Sequence, residues 1–371
     1  MDPNQIDDER NNFFEVDDET DVWFMMKAYE YNQRLEEEQN QPRLIRNPIH
    51  RDREDGERRL MADYFDDYCK YPLYYFRRRY RMSRKLFLNI VEGIKSYVVD
   101  PLSKHFKFLT HRPDTTGQMS MIVIMKCTSA IRQLAYGNTP HAFDEYLQMG
   151  EHTARNCLDN FNKCIFDLYM SKYLRKLTLA DVEKMHDAHE NILGFPGMLG
   201  SIGCMHWEWK NYAKSWEGQY ACANNDINVL DNSPLFDDLL DDIAHVALFV
   251  VNDAGFEKGY YFADGIYPQW ETFVKSFSVA NDEKHSFFKR QQESLRKDVE
   301  RAFGVLQGHW GIIQQPARQY HVNKIRRIMY SSIIMHNMIL EDQKIVFSDW
   351  NEMYANPIRN MQCTWIERCD V

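Results

Sequence analysis

The sequence predicts an α+β protein with a mainly helical amino-terminal half, and three observations support this fold class. Apolar residues recur at helical spacing through most of the stretch from residue 84 to residue 192. The segment Gly194-Phe195-Pro196-Gly197 then interrupts the pattern, as glycine and proline do between elements. After it, short apolar runs alternate with longer helical patterns, which indicates strands and helices in the carboxy-terminal half.

Residues 1–60 are acidic at first and then of mixed charge, and they predict a mostly disordered arm. The apolar islands of this arm are Phe13-Phe14 and the run from Val22 to Met26. An amphipathic helix over residues 21–38 fits the second island. Such a helix would either dock on a partner protein or form transiently without one.

Residues 61–193 predict a helical domain whose first notable feature is basic. Residues 74–85 interleave arginines with aromatic residues and lead into a helix over residues 84–96. This mixture suits contacts to phosphates and packing of bases or sugars. It suits equally well an amphipathic turn whose arginines cover apolar surface. The DNA-binding candidates in this segment are Arg77, Arg78, Arg79, Arg81, Arg84 and Lys85.

Residues 118–169 have the order of elements of a helix-turn-helix unit, which many helical bundles share. The elements are a helix over residues 118–135 that stops at Gly137, a short helix over 139–147, a turn at Met149-Gly150 and a helix over 151–169. Arg155 and Lys163 on the last helix are further DNA-binding candidates. Glu151, Asp159 and Asp167 on the same helix make it a poor electrostatic face for a major groove.

The carboxy-terminal half predicts strands and helices in alternation. The elements are a helix over residues 177–192, strands over 198–209, 246–251 and 260–263, a short helix over 233–240, and helices over 282–309 and 321–342. In the long helix, Glu300 sits beside an apolar stripe made by Leu295, Val299, Ala302, Phe303 and Leu306. Residues 343–371 predict a loose tail.

Composition limits the classes of partner and compartment. The formal net charge of −10 weakens the expectation of nucleic-acid binding, although basic clusters in residues 43–59 and 77–85 can supply local patches. The eight cysteines show no CxxC pair and predict buried thiols in a reducing compartment. No apolar run approaches the ~20 residues of a membrane span, so we expect an intracellular protein without a membrane partner.

Four sequence blocks, at residues 200–207, 224–230, 262–268 and 297–306, resemble in this order the PIF/Harbinger transposases and the host proteins derived from them, in particular the plant branch. The resemblance extends from about Tyr71 to Asp342. It implies an RNase H-like DDE nuclease domain over residues 198–342, in which three carboxylates bind Mg²⁺ or Mn²⁺ for phosphodiester chemistry. It also implies a nuclear protein that shares DNA recognition with a Myb-like partner.

The resemblance assigns the second acid to Asp264 and the third to Glu300, with Asp226 as the runner-up or an auxiliary acid. Each has an ordinary alternative: a turn before Gly265 for Asp264, a helix cap for Asp226, and an ion pair for Glu300. The first acid of close relatives corresponds to Gly203, which has no side chain. Glu208 cannot replace it, because five residues along a strand is ~16 Å and the opposite face.

A second departure from the resembling family lies at residues 220–226. Ala221-Cys222-Ala223 runs directly into Asn224-Asn225-Asp226, where relatives have two further apolar strands. We therefore expect a truncated RNase H-like domain that lacks two central strands.

These two departures favour one function and leave three alternatives open. The favoured function is that of a transposase-derived nuclear protein without catalysis that retains binding of DNA or a partner protein. The alternatives are an active metal-dependent DNA endonuclease with a replacement acid, an unstable product of a decayed element or faulty gene model, and a non-enzymatic helical interaction protein.

Overall fold

The structure is a computed structural model that describes residues 18–40, 49–113, 117–211, 226–231, 233 and 248–343. The chain divides into two compact units, residues 1–50 and 51–371. In the first unit, helix α1 spans Asp18–Asn40 and covers the helix that the sequence predicts over residues 21–38. The apolar side chains of α1 from Val22 to Met26 are exposed.

The second unit begins with a set of packed helices. In chain order these are α2 (Arg53–Tyr64), α3 (Leu73–Tyr80), α4 (Arg84–Ser96), α5 (Lys104–Leu109), α6 (Val123–Tyr136), a 3₁₀ helix (Pro140–Phe143), α7 (Glu151–Tyr173), α8 (Leu179–Ala188) and a π-helical turn (His189–Leu193). Helix α2 lies where the sequence predicts the end of a disordered arm. The side chain of Asp52 caps its first turn, and Leu60 and Tyr64 reach the core.

The predicted helix-turn-helix elements are present with different bounds. Helix α6 starts at Val123 and not at residue 118, because residues 118–122 join a loop in which Ser120 N–H bonds to Arg112 O at 2.9 Å. Helix α6 ends as predicted at Gly137, which has a left-handed φ of 64°. The short helix is a single 3₁₀ turn.

The remaining elements include two small sheets. In chain order they are β1 (Met198–Ser201), α9 (Asp226–Asp231), β2 (Phe249–Val251), β3 (Ala254–Phe256), β4 (Tyr260–Ala263), β5 (Phe273–Lys275), α10 (Glu283–His309) and α11 (Val322–Asp342). The strand predicted over 198–209 is wrong beyond Ser201, because after the hydrogen bond from Ile202 N–H to Phe262 O the next bridge of this segment joins Trp209 to Ala317. The helix predicted over residues 233–240 lies outside the described residues apart from Ser233.

The main sheet is parallel, and its strand order is β1-β4-β5. Phe262 in the central strand pairs with Ser201 on one side and Val274 on the other. Leu295 of α10 packs against Phe262 and Met198, so the long helix covers one face of this sheet. Strands β2 and β3 form a separate hairpin with Asn252 and Asp253 in its two-residue turn. The expected α+β fold class is confirmed.

The largest hydrophobic core joins the helices of the amino-terminal half to the end of α10 and to α11. Helix α11 is buried without interruption from Ile328 to His336 and packs against α7. The sequence assigns residues 321–342 to the domain of the strands, and in the structure the part of α11 from Ile328 to Ile339 contributes to the helical core. A helix that is apolar on more than one side needs such surroundings to bury both faces.

Candidate functional site

Two of the three predicted acids meet around one arginine. Asp264 follows β4 directly, and Glu300 projects from α10, which packs on β4 through Leu295. The Nη1 atom of Arg296 lies 2.8 Å from Glu300 Oε1 and 3.7 Å from Asp264 Oδ2. The end of β4 and the helix α10 thus bring both carboxylates to the guanidinium of Arg296. The sequence analysis missed Arg296, although its position four residues before Glu300 is the spacing of a helical ion pair.

Asp264 also makes the local contact of a turn residue. Its Oδ1 accepts a hydrogen bond from Gly265 N–H at 2.6 Å, and its carbonyl accepts from Tyr267 N–H at 3.2 Å. Aspartate before glycine commonly closes a turn in this way. The turn directs the second carboxylate oxygen towards Arg296.

Asp226, the first residue of α9, has its own set of partners. Its two oxygens lie 3.4 Å from His206 Nε2 and 3.3 Å from the Tyr267 hydroxyl, which in turn lies 3.4 Å from Cys204 Sγ. Burial, together with Cys204 and Asp226, raises the pKa of Tyr267, so its hydroxyl remains a donor. Asp226 is therefore held by histidine and tyrosine, and not by the arginine that joins Asp264 and Glu300.

Gly203, at the position of the first acid, faces α10. A Cβ atom at this position would lie 2.9 Å from Val299 Cγ1 and 3.8 Å from Phe303 Cε2. The helix residue next to Glu300 therefore fills the space through which a side chain at position 203 would leave the backbone. The position has no carboxylate and no room for one without a shift of its surroundings.

The arrangement does not fit a two-metal phosphodiester site. Among the described residues, no group of three or more His, Cys, Asp or Glu side chains is placed to hold a metal ion. Mg²⁺ requires near-octahedral oxygen ligands at 2.0–2.1 Å. Arg296 already supplies a positive charge between Asp264 and Glu300, so a cation would have to displace its guanidinium.

The basic segment of residues 77–85 divides into exposed and packed side chains. Arg77, Arg78 and Arg79 on α3 and Lys85 on α4 are exposed, and the two other candidates are half-buried. Of those two, the guanidinium of Arg81 lies 5.3 Å from the centre of the Tyr136 ring, and Arg84 donates to Tyr64 O at 3.4 Å. Some arginines of the segment thus cover apolar surface and others face solvent, and contact of the exposed ones with DNA stays a prediction.

Helix α7 presents little surface to a groove. Helices α5, α6 and α11 pack against it, and its residues Ala154, Phe161 and Ile165 lie in the core. Of the two DNA-binding candidates on α7, Arg155 pairs with Glu151 and Lys163 is half-buried. A recognition helix needs an exposed face that enters the major groove. The exposed residues of α7 include Glu151 and His152 in its first turn, Arg155 itself and Asp167.

The sequence analysis did not predict that Arg132 packs against three tyrosine rings. The guanidinium of Arg132 lies 5.2 Å from the ring centres of Tyr64, Tyr80 and Tyr146. Burial raises the pKa of Tyr80 to about 12, so the ring remains neutral beside the cation. Arginine over aromatic faces is a stable arrangement. These residues are far apart in sequence, and no local pattern pairs them.

The prediction of buried thiols holds for three of the five cysteines that the structure describes, whereas Cys69 and Cys204 are half-buried. Cys127, Cys157 and Cys164 are buried, and burial raises the pKa of Cys157 to about 12. Thiols with raised pKa values are poor nucleophiles, so these three are structural. Cys222, Cys363 and Cys369 lie outside the described residues.

Comparison with known families identifies the carboxy-terminal part of the chain. Residues 171–224 and 221–346 match the model of the family described as plant transposon protein. Over residues 171–346 the chain is therefore similar to the plant transposon protein family. The two matched segments overlap at residues 221–224. The family description does not name the PIF/Harbinger group, but a PIF/Harbinger protein fits that description.

Other comparisons add one domain match. Residues 56–95, which include α3 and the exposed arginines, match a domain of unknown function, DUF8418. Neither the curated proteins nor the solved structures gave a match. No helix among the described residues combines the length and the apolar character that crossing a membrane requires.

Proposed function

We propose that this transposon-derived protein binds nucleic acid and does not cleave it. The observation that carries the proposal is the contact of Arg296 with both Asp264 and Glu300, at a site where Gly203 supplies no third carboxylate. Two-metal cleavage needs ligands held to within about 0.5 Å of the productive geometry. Two acids that neutralise an arginine do not meet that requirement.

The truncation of an RNase H-like domain is part of the same proposal, and two observations support it. The family match breaks at residues 221–224 and resumes without a gap in this chain, as expected where the chain lacks a segment that the family has. In addition, β1 lies at an edge of the parallel sheet, and among the described residues no strand pairs with its other side. An RNase H-like sheet that lacks its second and third strands would have its first strand at such an unpaired edge.

The exposed residues Arg77, Arg78, Arg79 and Lys85 are the proposed contact with duplex DNA. They carry four positive charges on neighbouring helices, and no ion pair with a carboxylate involves them among the described residues. Phosphate contacts release counterions, so binding through such a surface weakens as salt rises. The overall charge of −10 makes a local surface of this kind necessary for any attraction to DNA.

Nuclear location and a Myb-like partner remain proposals from the family resemblance. Helix α1 is a suitable docking element for a partner protein, because its apolar residues are exposed on an otherwise acidic helix. A fluorescent fusion of the full chain that stays in the cytoplasm would contradict the nuclear part. Loss of partner binding in Met25→Glu, with binding intact in Lys27→Glu, is expected if α1 is the docking element.

Cleavage of supercoiled plasmid in millimolar Mg²⁺ or Mn²⁺ tests the absence of catalysis. We expect no nicking by the full chain over a time in which a control nuclease converts the plasmid completely. Metal-dependent nicking that disappears in Glu300→Gln would overturn the proposal and favour the active endonuclease.

Binding to a labelled duplex at several salt concentrations tests the surface. We expect Arg77→Gln with Arg78→Gln to weaken binding and to reduce the slope of log affinity against log salt by about 0.9 for each lost phosphate contact. The matched control is Lys104→Gln with Lys107→Gln on α5, which removes the same charge from two other exposed positions. Salt-independent binding, or no binding, would contradict nucleic-acid binding and leave a helical interaction protein.

A further inference from the structure

The outer face of α10 forms one wall of an open, basic groove. The side chains that line the groove are Ser286, Lys289, Arg290, Glu293, Ser294, Lys297 and Arg301. The opposite wall is the segment after β5, with Ala280 in contact with the groove. Lys289 Nζ donates to Ser278 O at 3.2 Å and ties this segment to the helix. The groove is thus built from two elements.

The charge of the groove is strongly positive for an acidic chain. Four of its lining residues are basic and one, Glu293, is acidic. Glu293 accepts a hydrogen bond from Ser276 at 3.3 Å and does not pair with a groove cation. Arg301 pairs with Asp298, but no carboxylate among the described residues pairs with Arg290 or Lys297. Uncompensated cations in a concave surface attract anionic ligands.

The length of the groove fits an extended polyanion. Ser286 and Arg301 are 15 helical residues apart, which corresponds to about 22 Å along the axis. Arg290 and Lys297 are separated by two helical turns and therefore lie on the same face of α10. A single small anion would engage one of these cations, whereas a row of phosphates would engage both.

One exposed aromatic ring lies beside a groove cation near the amino-terminal end of α10. Phe287 is 56% exposed, and the guanidinium of Arg290 lies 5.6 Å from its ring centre. Basic grooves with accessible aromatic rings are typical of single-strand binding, because unpaired bases stack on the rings. Bases within a duplex cannot do so.

We propose that this groove binds single-stranded nucleic acid, with phosphates on Arg290 and Lys297 and a base stacked on Phe287. The inference rests on the proposed function only in taking nucleic acid as the ligand. The groove and the arginine surface of α3 share no residue, and their residues lie on different elements of the second unit.

Fluorescence anisotropy of the full chain with a labelled thymidine 12-mer tests the proposal. We expect Arg290→Gln with Lys297→Gln to lower the affinity about ten-fold or more and to reduce the salt slope by about 1.4, since single strands contribute about 0.7 per phosphate contact. The matched control is again Lys104→Gln with Lys107→Gln. Phe287→Ala should weaken binding about five-fold or more. Tyr68→Ala, at a fully exposed ring, should leave it unchanged.

Three outcomes would overturn the inference. They are equal 12-mer affinity in the groove variants and the wild type, an equal loss of affinity for a blunt duplex of the same length in the groove variants, and an equal effect of the α5 control. Suppose that Arg77→Gln with Arg78→Gln weakens duplex binding while the groove variants keep wild-type affinity for the 12-mer. The binding of single strands by the groove is then refuted, and the proposed function stands. Thermal melts of all variants exclude unfolding as the cause of a loss.

Discussion

Replacing Gly203 by aspartate tests whether the position that lacks the first carboxylate can accept one. The new Cβ would lie 2.9 Å from Val299 Cγ1, closer than van der Waals contact allows. Val299 lies within α10, where a β-branched side chain has one strongly preferred χ1 rotamer and cannot easily turn away. Either the helix or the chain at residue 203 must shift, so we expect Gly203→Asp to destabilise the protein by about 1–3 kcal/mol.

Urea unfolding of a small set of variants measures this cost and its origin. Gly203→Ala introduces the same Cβ without a carboxylate and therefore separates the steric cost from the electrostatic one. Val299→Ala removes the opposing methyl groups, so Gly203→Asp should cost about 0.5–3 kcal/mol less in that background than in the wild type. If Gly203→Asp leaves the stability unchanged, or if its cost is the same in both backgrounds, the steric reasoning is refuted.

The same double variant tests what cleavage would require. We expect Gly203→Asp with Val299→Ala to remain inactive on plasmid in Mn²⁺. Arg296 would still contact Asp264 and Glu300, and β1 would still lie at an edge of the sheet, where β4 is its only partner among the described residues. Metal-dependent nicking by the double variant would show that the missing carboxylate alone accounts for inactivity.

Three further predictions concern buried or paired groups. Burial lowers the pKa of His309 to about 4 and that of His336 to about 3, both below the usual 6.5, so the unfolded chain binds more protons in acid. The free energy of unfolding should therefore be highest above pH 6.5 and be lower by about 2 kcal/mol per imidazole near pH 5. Urea titrations in which the variant His309→Asn with His336→Leu keeps the full pH dependence would contradict this. Lys126→Met removes the donor to the carbonyls of Phe108, Leu109 and Thr110 and should cost about 1–3 kcal/mol in the same assay, whereas exposed Lys107→Met should cost nothing measurable. Arg296→Gln leaves the carboxylates of Asp264 and Glu300 without their cation. Millimolar Mn²⁺ should therefore raise the melting temperature of this variant and not that of the wild type. If the melting temperature of the variant does not shift, Arg296 does not occupy the position of a metal.

The sequence located the candidate acids but not their partners. Asp264 follows an apolar run that ends in Asp-Gly, and Glu300 sits at the edge of a helical stripe, so local patterns placed each at the end or the edge of an element. Their meeting at Arg296 depends on how α10 crosses β4. The separation of Asp226 from this pair could not be read from spacing either, because its partners His206 and Tyr267 come from other segments.

Local periodicity by itself determined the long helices and the central strand. The predicted helices over residues 282–309 and 321–342 agree with α10 and α11 to within one residue at each end, and the strand over 260–263 agrees with β4. These segments have strong apolar patterns and clear ends, so nearest neighbours along the chain specify them. The absence of a side chain at Gly203 was also visible without any structure.

Tertiary structure alone decided which surfaces remain available. It packed one face of α7 against α11, placed Lys126 beside the carbonyl groups at the end of α5, and left Arg290 and Lys297 exposed along a groove. Each outcome depends on contacts between residues far apart in the chain. The same amphipathic pattern permits several ways of covering an apolar face, and only packing among all the elements selects one of them.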